Sequence, residues 1–180
     1  MKLKLFLLTF PFLFCHLFCL AQNNCDYNNV KKLEKDYAKN KKKTIKKYDG
    51  KGNLAYAIAE CYHENNDSTC LKWYYNAIEQ LKKDYSKEKD KSKKATKLFN
   101  IGKCYYYIGD FKQAEVYFHK SIKAKYPDPI AFYYLGVCLK NQNKCNEAIV
   151  ELKNYKKEIA DAPGVDALIK ECLTEIEKQK

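Results

Sequence analysis

The chain reads as an all-α protein, a right-handed α-solenoid of helical hairpins, and three observations carry that reading. The pattern of small and apolar residues in NIGKCYYYIGDFKQAEVYFHKSIKAKYP, Asn100 to Pro127, returns 34 residues later. A period of that length is one supersecondary unit that must stack on its neighbours to bury its apolar face. Within each unit the apolar residues recur at i, i+3, i+4 and i+7, which is one face of a helix. No alternating pattern of comparable strength marks a strand.

The first segment stands apart. In MKLKLFLLTFPFLFCHLFCLAQ, Lys2 and Lys4 precede an apolar run from Leu5 to Leu20, and Ala21 ends it. This is the layout of a secretory leader, expected to be cleaved after Ala21, so that residues 1–21 leave the mature chain. The run is shorter than the about 20 residues that a bilayer requires, and Pro11 and His16 interrupt it. An uncleaved anchor is the competing reading. Cys25 raises a lipidated form, against which Asn23 and Asn24 occupy the positions where small residues should precede the cysteine. No other stretch could span a membrane, so none is expected after cleavage. The expected location is the periplasm, the cell envelope or the secreted space.

Residues 26–49 predict one basic helix, with Val30, Leu33, Tyr37 and Ala38 on its apolar stripe and a solvated second half. Asp49-Gly50-Lys51-Gly52-Asn53 ends it. The repeat array spans 53–161 in three units, 53–83, 95–127 and 129–161. In the middle unit Leu98, Ile101, Gly102 and Tyr105 share a helix face, Gly109-Asp110 turns the chain, and Ala114 to Ser121 begin the return helix. In the third unit Phe132, Leu135, Gly136 and Leu139 recur, followed by Ala148, Leu152 and Tyr155. Two antiparallel helices approach closely only where side chains are small, which is the reason for the glycine and alanine positions. The first unit is degenerate, with Ala55, Ile58, Ala59 and Tyr62 on one helix and Cys70, Tyr74 and Ala77 on the other. Between the first two units KKDYSKEKDKSKK either lengthens a helix or forms an exposed loop. Residues 165–180 place Leu168, Ile169, Cys172, Leu173 and Ile176 on one stripe and predict a capping helix over the last open face.

These residues resemble the tetratricopeptide repeat family, closely over Ala95 to Lys125 and Pro129 to Ile159, more weakly over Asn53 to Lys83. The family's small residues at the tight crossing correspond to Ala59, Gly102 and Gly136, and its early second-helix alanines to Ala114 and Ala148, with Cys70 in the first unit. Tyr155 departs by filling a small-residue position. The resemblance implies a right-handed stack whose first helices line a concave groove, and a non-enzymatic role in holding a protein or peptide there as an adaptor or assembly factor. The groove positions fall on Tyr56, Phe99, Lys103, Tyr106, Tyr107, Tyr133 and Lys140. Tyr56, Phe99 and Tyr133 would form an aromatic ladder, a surface that buries area at low entropic cost. The lysine and asparagine array of repeats that clamp a C-terminal carboxylate is absent, since Tyr56, Glu60, Phe99 and Lys103 stand at those positions.

Seven of the nine cysteines remain once the leader is removed. Cys61 and Cys70 bracket one hairpin turn, and Cys138 and Cys145 bracket another, so two short staples are the disulfide candidates. This arrangement resembles the stapled hairpins of secreted Sel1-like repeat proteins, without their longer period. Buried free thiols standing in for alanine are the other reading. No CxxC pair is present and the cysteines are spread over separate units, so no metal site is expected. His63 and His119 lack a neighbouring carboxylate or nucleophile pattern, and no glycine-rich phosphate loop occurs. No catalytic residue and no cofactor is expected. Asp110 reads as a turn and helix-start residue. Asn66-Asp67-Ser68 fits a glycosylation acceptor if the protein is made in a eukaryote.

Lysine supplies every basic residue, and the net charge of +12 falls to about +10 without Lys2 and Lys4. Arginine's planar fork, suited to base edges and phosphates, is missing, which argues against specific nucleic-acid recognition. The blocks at 31–47 and 82–97 are solvated surface or a weak docking patch for an anionic lipid or glycan, a contact that salt would remove.

Overall fold

A computed structural model describes residues 27–178 as nine helices, with no strand among the described residues. The expected leader, its cleavage point and Cys25 lie outside the described residues. The helices are α1 (Tyr27–Ala38), α2 (Lys42–Lys47), α3 (Lys51–Glu64), α4 (Thr69–Lys87), α5 (Lys91–Tyr107), α6 (Phe111–Lys123), α7 (Ile130–Lys140), α8 (Cys145–Glu158) and α9 (Pro163–Lys178). Each packs on the next, and α3, α5, α7 and α9 also touch in succession, forming an inner row with α4, α6 and α8 outside it. This is the α-solenoid read from the repeat.

The three hairpin turns share one backbone device. Asn66 (φ +53°), Gly109 (φ +83°) and Asn143 (φ +61°) each take a left-handed conformation after an inner helix. Glycine and asparagine tolerate that region, and it turns the chain out of the helix. Asp110 then opens α6 as read from sequence, its carboxylate accepting the Gln113 N–H at 3.0 Å. Asp90 opens α5 in the same way, accepting from Lys93 N–H at 2.9 Å. Each carboxylate satisfies a donor that the first turn leaves unpaired.

The repeat is visible in the crossings. A Cβ on Gly102 would meet the Phe118 ring, and a Cβ on Gly136 would meet Leu152. Both pairs lie 34 residues apart in the chain, so the two glycines occupy equivalent points of successive hairpins. Ala114 and Ala148, likewise equivalent, are fully buried beside them.

One expectation about boundaries changes, and one open alternative is decided. The basic N-terminal segment is not one helix: Asn40 (φ +49°) breaks it into α1 and α2. The mixed-charge insertion lengthens both neighbouring helices, leaving only residues 88–90 outside them. The helix α1 is anchored by Glu34, whose carboxylate accepts from Tyr62 Oη at 2.9 Å and Trp73 Nε1 at 3.1 Å. Tyr37 adds an edge-on contact with Trp73 at 5.1 Å, and Val30 is buried beneath.

Candidate functional site: the inner helical face

The inner row carries polar rungs between its helices. Asn100 Nδ2 donates to Asn53 Oδ1 at 3.0 Å, joining α5 to α3. Lys103 Nζ donates to Glu60 Oε1 at 3.1 Å on the same pair of helices. Lys140 Nζ reaches Glu171 Oε2 at 2.5 Å, joining α7 to α9.

Lys103 is the centre of this face. Its ammonium lies 5.2 Å from the ring centre of Tyr56, 5.6 Å from that of Tyr107 and 5.7 Å from that of Tyr134. Cation–π attraction and the Glu60 carboxylate both hold the charge in place. Burial pulls the Lys103 pKa down, the Glu60 carboxylate pulls it up, and the net direction is upward, so the ammonium stays charged. The Tyr56 hydroxyl also donates to Glu60, and burial together with that carboxylate pushes the phenol's pKa well up.

The seven predicted groove residues divide into two groups. Tyr56 is 8% exposed and Phe99 5%, so both belong to the core and no open ladder of Tyr56, Phe99 and Tyr133 exists. Phe99 stacks on Tyr126 at 4.3 Å and meets Phe118 and Tyr134. The physical reason is that aromatics at these positions fill the wedge between successive hairpins. Tyr106, Tyr107 and Tyr133 are half-buried, and Lys103 and Lys140 are both engaged in ion pairs.

The half-buried tyrosines are linked. Tyr107 meets Tyr106 edge-on at 5.4 Å, Tyr106 meets Tyr134 at 5.2 Å, Tyr134 meets Tyr133 at 5.7 Å, and Tyr133 meets Tyr155 at 5.6 Å. Tyr155, the large residue in a small-residue position, is accommodated by turning its ring onto Tyr133. Sequence reasoning missed Asn100 and Tyr134. They occupy one repeat position, 34 residues apart, and each reaches back to the preceding inner helix. That shared position was the available signal.

Neither cysteine staple forms, because Cys70, Cys138 and Cys145 are free thiols. The register explains it. Gly52 faces Leu81 across the first hairpin, which sets Cys61 opposite residue 72 rather than Cys70. Gly136 faces Leu152 and the Ala148 carbonyl in the third, so Cys138 lies nearer 148 than 145. A step of two or three residues along a helix also turns the side chain to another face. Among the described residues, no group of three or more His, Cys, Asp or Glu side chains is placed to hold a metal. No described helix is long and apolar enough to cross a membrane.

Stacked hairpins with a turn in common, a shared glycine crossing and a linked inner row define a helical-hairpin repeat protein. Residues 98–129 match the tetratricopeptide repeat family model, which covers most of the second hairpin and the entry to α7. This hairpin is therefore similar to a tetratricopeptide repeat, and it stands in a row of hairpins built in the same way. No curated protein matches it.

Proposed function

We propose that the protein is a non-enzymatic adaptor or assembly factor, exported after cleavage behind Ala21, that holds a protein or peptide along its inner face. The observation that carries this reading is the chain of half-buried tyrosines, Tyr106, Tyr107 and Tyr133, set among ion-paired lysines. Rings already fixed by edge-on contacts lose little freedom when a partner covers them, and their hydroxyls can accept or donate. Tetratricopeptide repeats bind protein partners in general, which supports the same use here. Lys103 is neutralised by Glu60, so the face recognises through aromatic contact and hydrogen bonds rather than through a free cation at its centre.

The test has two arms. Proteins captured from an envelope extract by the wild-type chain should be lost when Tyr106 and Tyr133 are both replaced by alanine, with the helical circular dichroism unchanged. Retained capture removes the tyrosine face from the reading. N-terminal sequencing of the protein recovered outside the cytoplasm should begin at Gln22.

A second reading is docking on an anionic lipid or glycan. It is favoured by α2, KKTIKK, in which no side chain is buried. Binding that moderate salt abolishes and that the tyrosine replacements leave intact selects this reading.

A further inference from the structure

We propose that Cys145 and Cys172 form a dithiol that closes to a disulfide on oxidation, fastening the capping helix α9 to the start of α8. Cys145 is the first residue of α8 and Cys172 lies within α9, and these helices pack against each other. Both side chains are buried, Cys172 completely, in one apolar cluster with Leu135, Cys138, Leu139 and Ala148. The two thiols meet there, each within the other's electrostatic and hydrogen-bonding reach. The hairpin partner expected from sequence, Cys138, lies in the same cluster as a free thiol, and Cys145 meets Cys172 instead.

The chemistry needs an external disulfide of the glutathione class. The thiolate of one cysteine attacks a sulfur of that disulfide, forming a protein–glutathione mixed disulfide and releasing one glutathione. The second cysteine then attacks the protein sulfur of the mixed disulfide, forming the Cys145–Cys172 bond and releasing the second glutathione. Two cysteines lose two electrons, the external disulfide gains them, and the two thiol protons end on the released glutathiones. Burial pushes the Cys172 thiol up to about 11, so attack in the closed state is slow. Exchange therefore proceeds through lifting of α9, which among the described residues packs only on α7 and α8. Once closed, the bond removes that opening.

The experiment treats the full mature chain with oxidised glutathione, quenches in acid, alkylates the remaining thiols under denaturing conditions and digests with trypsin. Residues 145–153 (CNEAIVELK) and 171–178 (ECLTEIEK) should appear as one cross-linked species that reductant separates, with the Cys104 and Cys138 peptides still alkylated. The oxidised protein should show a higher thermal midpoint and slower amide exchange in α9. Cys172→Ser should lose the cross-link and the shift in midpoint. The proposal is overturned if the two peptides are recovered alkylated, if they carry only glutathione adducts, or if Cys145 is found joined to Cys138. It is equally overturned if the midpoint shift persists in Cys172→Ser. The peptide map of the wild-type protein decides the matter should that variant fail to fold.

Discussion

Phe118 closes over Gly102 so tightly that a Cβ at that position would lie 2.8 Å from the ring's Cε1. One unit later Leu152 closes over Gly136, where a Cβ would lie 2.7 Å from its Cγ. Aromatic and aliphatic side chains thus serve the same crossing, provided that the facing residue has no side chain. The distance between the helix axes is set by the glycine, and the partner fills what remains.

Gly102→Ala should therefore destabilise the protein although alanine favours helix by about 1 kcal/mol. Overpacking against a buried ring costs about 1–3 kcal/mol. Gly52→Ala should cost more than either repeat glycine, since its Cβ would come 2.6 Å from the Leu81 backbone nitrogen, which cannot rotate aside. Urea unfolding with an unchanged slope measures the order. A stabilised Gly102→Ala protein would contradict the close crossing.

Tyr74→Phe should be neutral or stabilising by up to about 1 kcal/mol. The Tyr74 hydroxyl is buried without a hydrogen-bond partner among the described residues, while its ring stacks on Tyr107 at 5.1 Å. Phenylalanine keeps the stacking and removes the unpaired oxygen. A drop in thermal midpoint would reveal a partner for that hydroxyl, such as an ordered water.

Glu60→Gln and Lys103→Met should differ although each removes one charge of the same pair. Glu60→Gln leaves an ammonium enclosed by three rings with its counter-ion gone, at a cost of about 1–3 kcal/mol after allowing for the partial exposure of Glu60. Lys103→Met retains a long apolar stem within the tyrosine box and should cost less. Equal losses would show that the rings, and not the carboxylate, hold Lys103.

Acid should weaken the junction between the first and second hairpins. Glu88 accepts the Asp90 N–H at 3.1 Å, Lys97 Nζ at 3.0 Å and the Lys89 N–H at 2.9 Å. These donors, the Asp90 N–H foremost, hold its carboxyl down to about 2, against 4.5 ordinarily. In this window the unfolded chain binds the proton first, so the Glu88 contribution is complete above about pH 4.5 and lost as pH falls towards 2. Glu88→Gln should flatten that part of the stability profile. An unchanged acid limb would assign the acid sensitivity to other carboxylates.

The period of 34 residues made the hairpins, the glycine crossings and the Gly109 turn legible from the chain alone, because each depends on residues within one unit or at equivalent positions of the next. The break at Asn40 was not legible, since it falls in a run of polar residues with no apolar stripe to interrupt. Contacts between units were harder. A repeat position tells which face a side chain occupies but not how deeply the next hairpin covers it, so Phe99 reads as groove in the sequence and is core in the fold. The cysteines failed for a related reason: symmetry about a turn does not fix the height at which two helices pair. Glu171 was invisible because α9 belongs to no repeat, and only the fold brings it to Lys140.

In that fold α9 stands where a fourth inner helix would begin. Its exposed side presents Lys170, Thr174 and Lys178, while Glu171 on its flank reaches Lys140 of α7. That side of α9 offers charge and a hydroxyl where the inner faces of α5 and α7 offer aromatic rings. A hairpin seated on that side would need apolar residues in place of Lys170 and Thr174.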